Sequence, residues 1–157
     1  PYGFRAAIAP HIAATEEGRN IELPCIAASF AELQTLADVV LVEGVGGFCV
    51  PLGADCDTAD LAMMLRLPVI LVVGMRLGCI NHALLTQQAI AACGLSLAGW
   101  VANRIDPAMS RFSENLAALQ QRLAAPLLGV VTHGTTPAEA AHRLQLPAMG
   151  PALSPGT

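Results

Sequence analysis

The stretch Leu67-Pro68-Val69-Ile70-Leu71-Val72-Val73-Gly74-Met75-Arg76-Leu77-Gly78-Cys79-Ile80-Asn81-His82 decides how the rest of the chain is read. Residues 68–73 form a continuous apolar run bounded by Arg66 and Arg76. The run is far shorter than the ~20 residues that span a bilayer. With no alternation of polar and apolar positions, it predicts a strand buried on both faces. Residues 74–81 then predict a loop, and 82–93 a helix that Gly94 can stop.

The same order recurs on both sides. Downstream, a strand is predicted over 98–103, a helix from Ser110 or Ser113 to Leu123, a strand over 126–131 and a helix over 137–144. A Pro/Gly-rich tail follows from Pro147. Upstream, Asp57 or Thr58 can cap a helix reaching about Leu65. The β-branched run 39–42, preceded by Asp38, predicts another doubly buried strand. Residues 27–36 predict a helix with Ser29 as its cap, and 1–23 irregular chain or short helix with a break at Pro10-His11. Strands alternating with helices of about ten residues indicate an α/β fold on a mostly parallel sheet. No linker or repeat divides the 157 residues, so 1–157 reads as a single domain.

Composition narrows the function. Hydrophobic residues make up 54% and charged residues 13%, which excludes a disordered chain. The net charge is -4 with no basic run, which argues against nucleic acid as a partner. No secretory leader pattern opens the chain and no segment is long enough for a membrane. A cytoplasmic location is therefore expected. Cys25, Cys49, Cys56, Cys79 and Cys93 form no CxxC pair and are odd in number, so they read as small buried thiols in a reducing compartment. All eight basic residues are arginine, so any chemistry that needs a lysine must take it from elsewhere. The first residue is Pro1 rather than Met, and a natural start is not expected there.

In parallel α/β sheets, ligands sit beyond the carboxyl ends of strands. That rule selects four places: 43–47, 74–81, 103–106 and 132–134. Glu43 follows four apolar residues and precedes Gly44-Val45-Gly46-Gly47. A carboxylate there can hold a hard cation such as magnesium beside a phosphate, and the glycines let backbone N–H groups approach an anion. A plain turn with a solvated glutamate fits the same residues. A dinucleotide GxGxxG is not satisfied, because Cys49 occupies the third glycine position, and a GxxxxGK[ST] loop is absent. In 74–82, N–H groups at a helix start attract a carboxylate or phosphate, and Arg76 adds charge. Cys79 lacks a fixed base for nucleophilic work, and His82 reads as a structural histidine. Asn103, closing a strand, can donate and accept toward a purine edge, or be an ordinary turn asparagine. Thr132-His133-Gly134 is a weaker candidate.

Taken together, the chain resembles dethiobiotin synthetases. The resemblance rests on Pro10-His11, VLVEGVGG at 40–47, Ala59-Asp60, LPVILVVGMRLGCINHALLT at 67–86, GLSLAGWVAN at 94–103 and APLLG at 125–129. It implies a homodimeric, P-loop NTPase-like three-layer fold with a mostly parallel sheet, here without its N-terminal βα portion. It implies an ATP- and Mg2+-dependent ligase of biotin biosynthesis that joins CO2 (or bicarbonate) to 7,8-diaminopelargonic acid. By position, Glu43 would bind magnesium, and Glu43, Gly44, Val45 and Gly46 would line the nucleotide phosphates. Asn103 would read adenine with Arg104 beside it, and Thr132, His133, Gly134 and Glu139 would lie near the base. Gly78, Cys79, Ile80 and Asn81 would bind the substrate's tail carboxylate near the dimer interface. The family's phosphate loop, its lysines and a second metal-binding aspartate have no counterpart in this chain, so no catalytic residue is assigned here. The chain alone is expected to be inactive. Two other readings stand beside it: a ligase of the cobyric acid synthase type, which shares the strand–glutamate–glycine turn, and a regulatory P-loop ATPase of the partition type or a degenerate binding remnant. LGCINHA and AGWVAN weigh against the first, and the low charge against the second.

Overall fold

Pro10 and Pro24 start helices rather than interrupt them. In the computed structural model, which describes residues 1–147, Pro10 opens α1 (Pro10–Glu16) and Pro24 lies in the first turn of α2 (Leu23–Gln34). A proline at these positions lacks an N–H where the helix needs none. The expected break at Pro10-His11 is thus a helix start, and α2 begins four residues before the expected Ala27. Ser29 does not cap it; its hydroxyl donates to the Cys25 carbonyl at 3.1 Å inside the helix. α3 (Thr58–Leu65) starts where expected, with Asp57 as cap. Asp57 Oδ1 accepts from the Ala59 and Asp60 N–H groups at 2.7 and 3.0 Å, and Asp60 Oδ2 accepts the Asp57 N–H at 2.9 Å. This reciprocal arrangement is a capping box.

These elements belong to the first of two units into which the chain divides, Pro1–Leu67 and Pro68–Thr157. The first unit's buried apolar residues are Ala13, Ala14, Leu52 and Ala59. The strand expected over 39–42 is not formed. Val39, Leu41 and Val42 are exposed, Leu41 to 82%, and no strand pairs with them among the described residues. A β-branched run supplies side chains suited to a sheet, but a strand exists only through the ladder it shares with a neighbour.

The second unit supplies that ladder. β1 (Val69–Gly74), α4 (Cys79–Ala92), β2 (Leu97–Asn103), α5 (Phe112–Arg122), β3 (Leu127–Val131) and α6 (Pro137–Ala141) alternate as expected. The strands form one parallel sheet in the order β1-β2-β3. Gly78 takes a left-handed φ of 93° as N-cap of α4, a conformation open to glycine, so the helix starts three residues before His82. α6 is three residues shorter than expected; Gly134 turns the chain with φ 75° ahead of it. A Cβ at position 129 would collide with the Arg143 carbonyl. Gly129 therefore lets the chain after α6 lie against β3, where the Gln145 N–H donates to the Leu128 carbonyl at 2.8 Å. The tail expected from Pro147 otherwise lies outside the described residues.

Val73, Met75, Cys79, Ala83, Trp100, Ala102, Met109, Leu119 and Leu123 form the core between the sheet and helices α4 and α5. Gln87, within α4, ties that helix to the end of α5: its side chain accepts the Ala124 N–H at 2.7 Å and donates to the Arg122 carbonyl at 3.4 Å. Burial on both faces, expected for 68–73, is not seen. Leu71 and Val73 face the core, whereas Ile70 and Val72 are exposed. Residues on a strand alternate between faces, and α4 and α5 cover only one of them.

Candidate functional site

Register places three of the four candidate loops on one edge. Gly74 is paired with Asn103, and Asn103 with Val131, so the loops after β1, β2 and β3 leave the sheet side by side at its carboxyl end. Their main chains are cross-bonded there. The Asn103 carbonyl accepts the Met75 N–H at 2.7 Å and the Ile105 N–H at 2.9 Å, and the Val131 carbonyl accepts the Arg104 N–H at 2.8 Å. This fixes the backbone of Asn103 while its half-buried side-chain amide makes no hydrogen bond among the described residues. Such an amide keeps both its donor and acceptor sides available.

Arg104 is held next to it. Its guanidinium sits 4.9 Å from the centroid of the Phe112 ring and donates from Nη2 to the Pro107 carbonyl at 2.9 Å, while Nε is buried with no hydrogen-bond partner among the described residues. After β3, the hydroxyls of Thr132 and Thr135 are 2.7 Å apart, and Arg143 Nη1 donates to Thr132 Oγ1 at 3.2 Å. His133 and Gly134 are exposed. Glu139 is committed to the start of α6: its Oε2 accepts from the N–H and the hydroxyl of Thr136, both at 2.9 Å. Those two bonds, then the nearby Arg143 charge, hold its carboxyl below the usual range. Arg143, whose guanidinium reaches the same rim, was not singled out by the sequence.

The start of α4 leaves the same edge. The Cys79 N–H donates to the Arg76 carbonyl at 3.0 Å, and no side chain among the described residues caps the helix. Among the described residues the Ile80 and Asn81 N–H groups then have no partner, as the first turn of a helix dictates. Gly78 and Asn81 are exposed, and Ile80 is half-buried. The Cys79 thiol is 2% exposed and faces the core, so only its backbone belongs to this surface. His82 is exposed. Of the five thiols expected to be buried, Cys79 alone is; Cys25 and Cys49 are exposed, and Cys56 and Cys93 are partly so.

The fourth loop lies in the first unit. Glu43 is exposed and its carboxylate has no hydrogen bond or ion pair among the described residues. Gly46 turns the chain with φ 79°, and the Gly47 N–H closes on the Val45 carbonyl at 3.1 Å. Among the described residues no three His, Cys, Asp or Glu side chains are grouped to hold a metal ion. One hard, unpaired carboxylate beside a glycine turn suits a Mg2+ that takes its other ligands from water and phosphate. In the same unit, Pro51, Gly53, Ala54, Asp55, Cys56, Asp57 and Asp60 line a cavity of about 370 Å³. Burial, then the charges of Asp60, Asp55, Asp57 and Glu22, push the Cys56 thiol up, away from the reactive thiolate.

Against known proteins, a family model described as an AAA domain matches residues 1–137. Over 149 residues the chain is 65% identical to the ATP-dependent dethiobiotin synthetase BioD of Aromatoleum aromaticum and 54% identical to that of Xanthomonas axonopodis pv. citri. It is 53% identical over 147 residues to the BioD of Xylella fastidiosa. The first two matches cover 94% of this chain and 66% of the relative, so the chain spans about two thirds of the length of these curated relatives. No helix among the described residues is long and apolar enough to cross a membrane.

Proposed function

Since the chain belongs to the AAA-domain family, with dethiobiotin synthetases among its relatives, we propose that the whole protein is an ATP-dependent dethiobiotin synthetase, working in the cytoplasm as a homodimer. The substrates would be 7,8-diaminopelargonic acid, CO2 or bicarbonate, and ATP. One amine of the diamine adds to CO2 and loses a proton, giving a carbamate. The γ-phosphoryl group of ATP passes to a carbamate oxygen, leaving ADP and a carbamic-phosphoric anhydride. The second amine attacks its carbonyl carbon and phosphate leaves, closing the ureido ring.

The observation that carries this reading is the shared carboxyl edge of β1, β2 and β3. There Asn103, whose amide makes no hydrogen bond among the described residues, and the start of α4 leave the sheet in register. Asn103 reads the adenine edge, with Arg104 and residues Thr132, His133 and Gly134 around the base. The neighbouring Glu139 acts indirectly, by ordering α6. Ile80 and Asn81, with Gly78 and Cys79 as frame, present N–H groups to the substrate's tail carboxylate. Glu43 holds Mg2+, whose charge offsets that of the transferring phosphoryl group, and Gly44, Val45 and Gly46 let the chain come close to the phosphates.

Both units belong to one incomplete domain in this reading. Phosphoryl transfer depends on positioning and charge neutralisation, and this chain has neither a lysine nor a GxxxxGK[ST] loop. The 157-residue chain by itself is therefore inactive. The test is product analysis with the full-length protein. Dethiobiotin and ADP should form from diaminopelargonate, bicarbonate and MgATP, and none should form with the 157-residue chain. Amidation of a corrinoid carboxylate instead would move the protein to the cobyric acid type.

A further inference from the structure

The glycine turn that carries Glu43 is held from one side only. Among the described residues, the main chain of 39–46 makes a single bond, the Val45 carbonyl accepting the Gly47 N–H. Immediately after the turn, one residue gathers the chain. Thr58 Oγ1 donates to the Phe48 carbonyl at 2.6 Å, lies 3.3 Å from the Gly47 carbonyl and accepts the Val50 N–H at 2.9 Å. The Thr58 N–H donates to the Val50 carbonyl at 2.9 Å. Thr58 is the first residue of α3, and the Asp57–Asp60 capping box fixes the backbone on which it stands. The bridge between Pro51 and Asp57 closes the same loop. A half-buried hydroxyl that serves 47, 48 and 50 at once sets where the turn leaves the helix.

We propose that Thr58 is a positioning residue for Glu43: its hydroxyl anchors the downstream end of the glycine turn and so fixes where that carboxylate meets the metal–nucleotide. This rests on the function proposed above. Thr58 touches no reacting atom; it acts through residues 47–50. A displacement of about 1 Å at a charge-positioning group is enough to cost up to ~100-fold in rate.

The test uses the full-length protein with Thr58→Val, Thr58→Ala and Thr58→Ser. Val keeps the β-branched shape without the hydroxyl, Ala tests the same loss should Val not fold, and Ser restores the hydroxyl. The expected result is a rise of about tenfold in the Mg2+ and MgATP half-saturation with Val or Ala, with the KM for diaminopelargonate held. Ser should recover the wild-type Mg2+ half-saturation. Hydrogen exchange without ligands should show faster exchange over 44–50 in Val and Ala only. An unchanged Mg2+ half-saturation overturns the proposal, as does a Ser variant as impaired as Ala, or a fall in kcat that merely follows a lowered melting temperature. A wild-type protein that makes no dethiobiotin overturns the functional reading itself. Exchange at 44–50 that ignores the hydroxyl overturns the brace alone.

Discussion

Two stretches of this chain use the same local grammar and end differently. Residues 39–47 and 69–78 each set a β-branched run before a glycine-bearing turn, and a helix follows each, α3 and α4. The second run becomes β1, paired along its length with β2. The first remains unpaired, with Leu41 82% exposed. Nothing in the side chains of 39–42 forbids a strand. The difference lies in company: parallel strands need partners brought in from elsewhere in the sequence, and β1 finds one in β2. The stability of the chain should accordingly be concentrated in the second unit.

The largest effect should come from its centre. Trp100 is fully buried in β2, between the sheet and helices α4 and α5. Trp100→Ala removes the biggest side chain of that core and is expected to cost about 3–5 kcal/mol in urea unfolding followed by circular dichroism. Leu41→Ala, equally apolar by sequence, should stay within about 0.5 kcal/mol. Comparable losses from the two would mean that 39–42 is packed in solution, and the contrast between the stretches would collapse.

An intermediate effect comes from α3, the helix that borders the unpaired stretch. Asp57→Ala removes the acceptor of the Ala59 and Asp60 N–H groups, a loss of about 1 kcal/mol for a capping residue. Exchange of the amides at the start of α3 should quicken while those of β2 are unmoved. If β2 quickens as well, the units unfold as one and should not be contrasted.

The contrast also marks how far sequence could lead. The helix start at Asp57, the three strands of the second unit and their alternation with helices were legible, because caps and continuous apolar runs are local signals. The carboxyl edge bearing Asn103 was legible too, since the end of a strand is set by the same pattern. What failed depended on neighbours. Exposure of Ile70, Val72 and 39–42 depends on which elements cover a face, and no single segment encodes that. The sequence offers Thr58 as a possible cap; its grip on 47–50 is a contact at separations of eight to eleven residues that periodicity does not register. Glu139, near the base by resemblance, also closes the first turn of α6 with its carboxylate, a contact the resemblance does not carry.

The smallest effect sharpens the comparison at the level of caps. The box at Asp57 is part-buried, while that at Thr136 and Glu139 stands in solvent at the sheet's edge. The Thr136 bonds lower the Glu139 carboxyl in the folded chain. A carboxyl lowered on folding stabilises above its unfolded pKa, and that contribution is lost as pH falls through its folded pKa. Order over residues 136–143 should therefore be complete at neutral pH and fade only below the ordinary carboxylate range. NMR titration of the Thr136 amide would follow it. Glu139→Gln should retain the cap geometry and lose the acid transition, because an amide oxygen still accepts the Thr136 N–H but does not titrate. A transition that persists in Glu139→Gln would assign it to another group, and the solvent-exposed box would then contribute nothing that pH can remove.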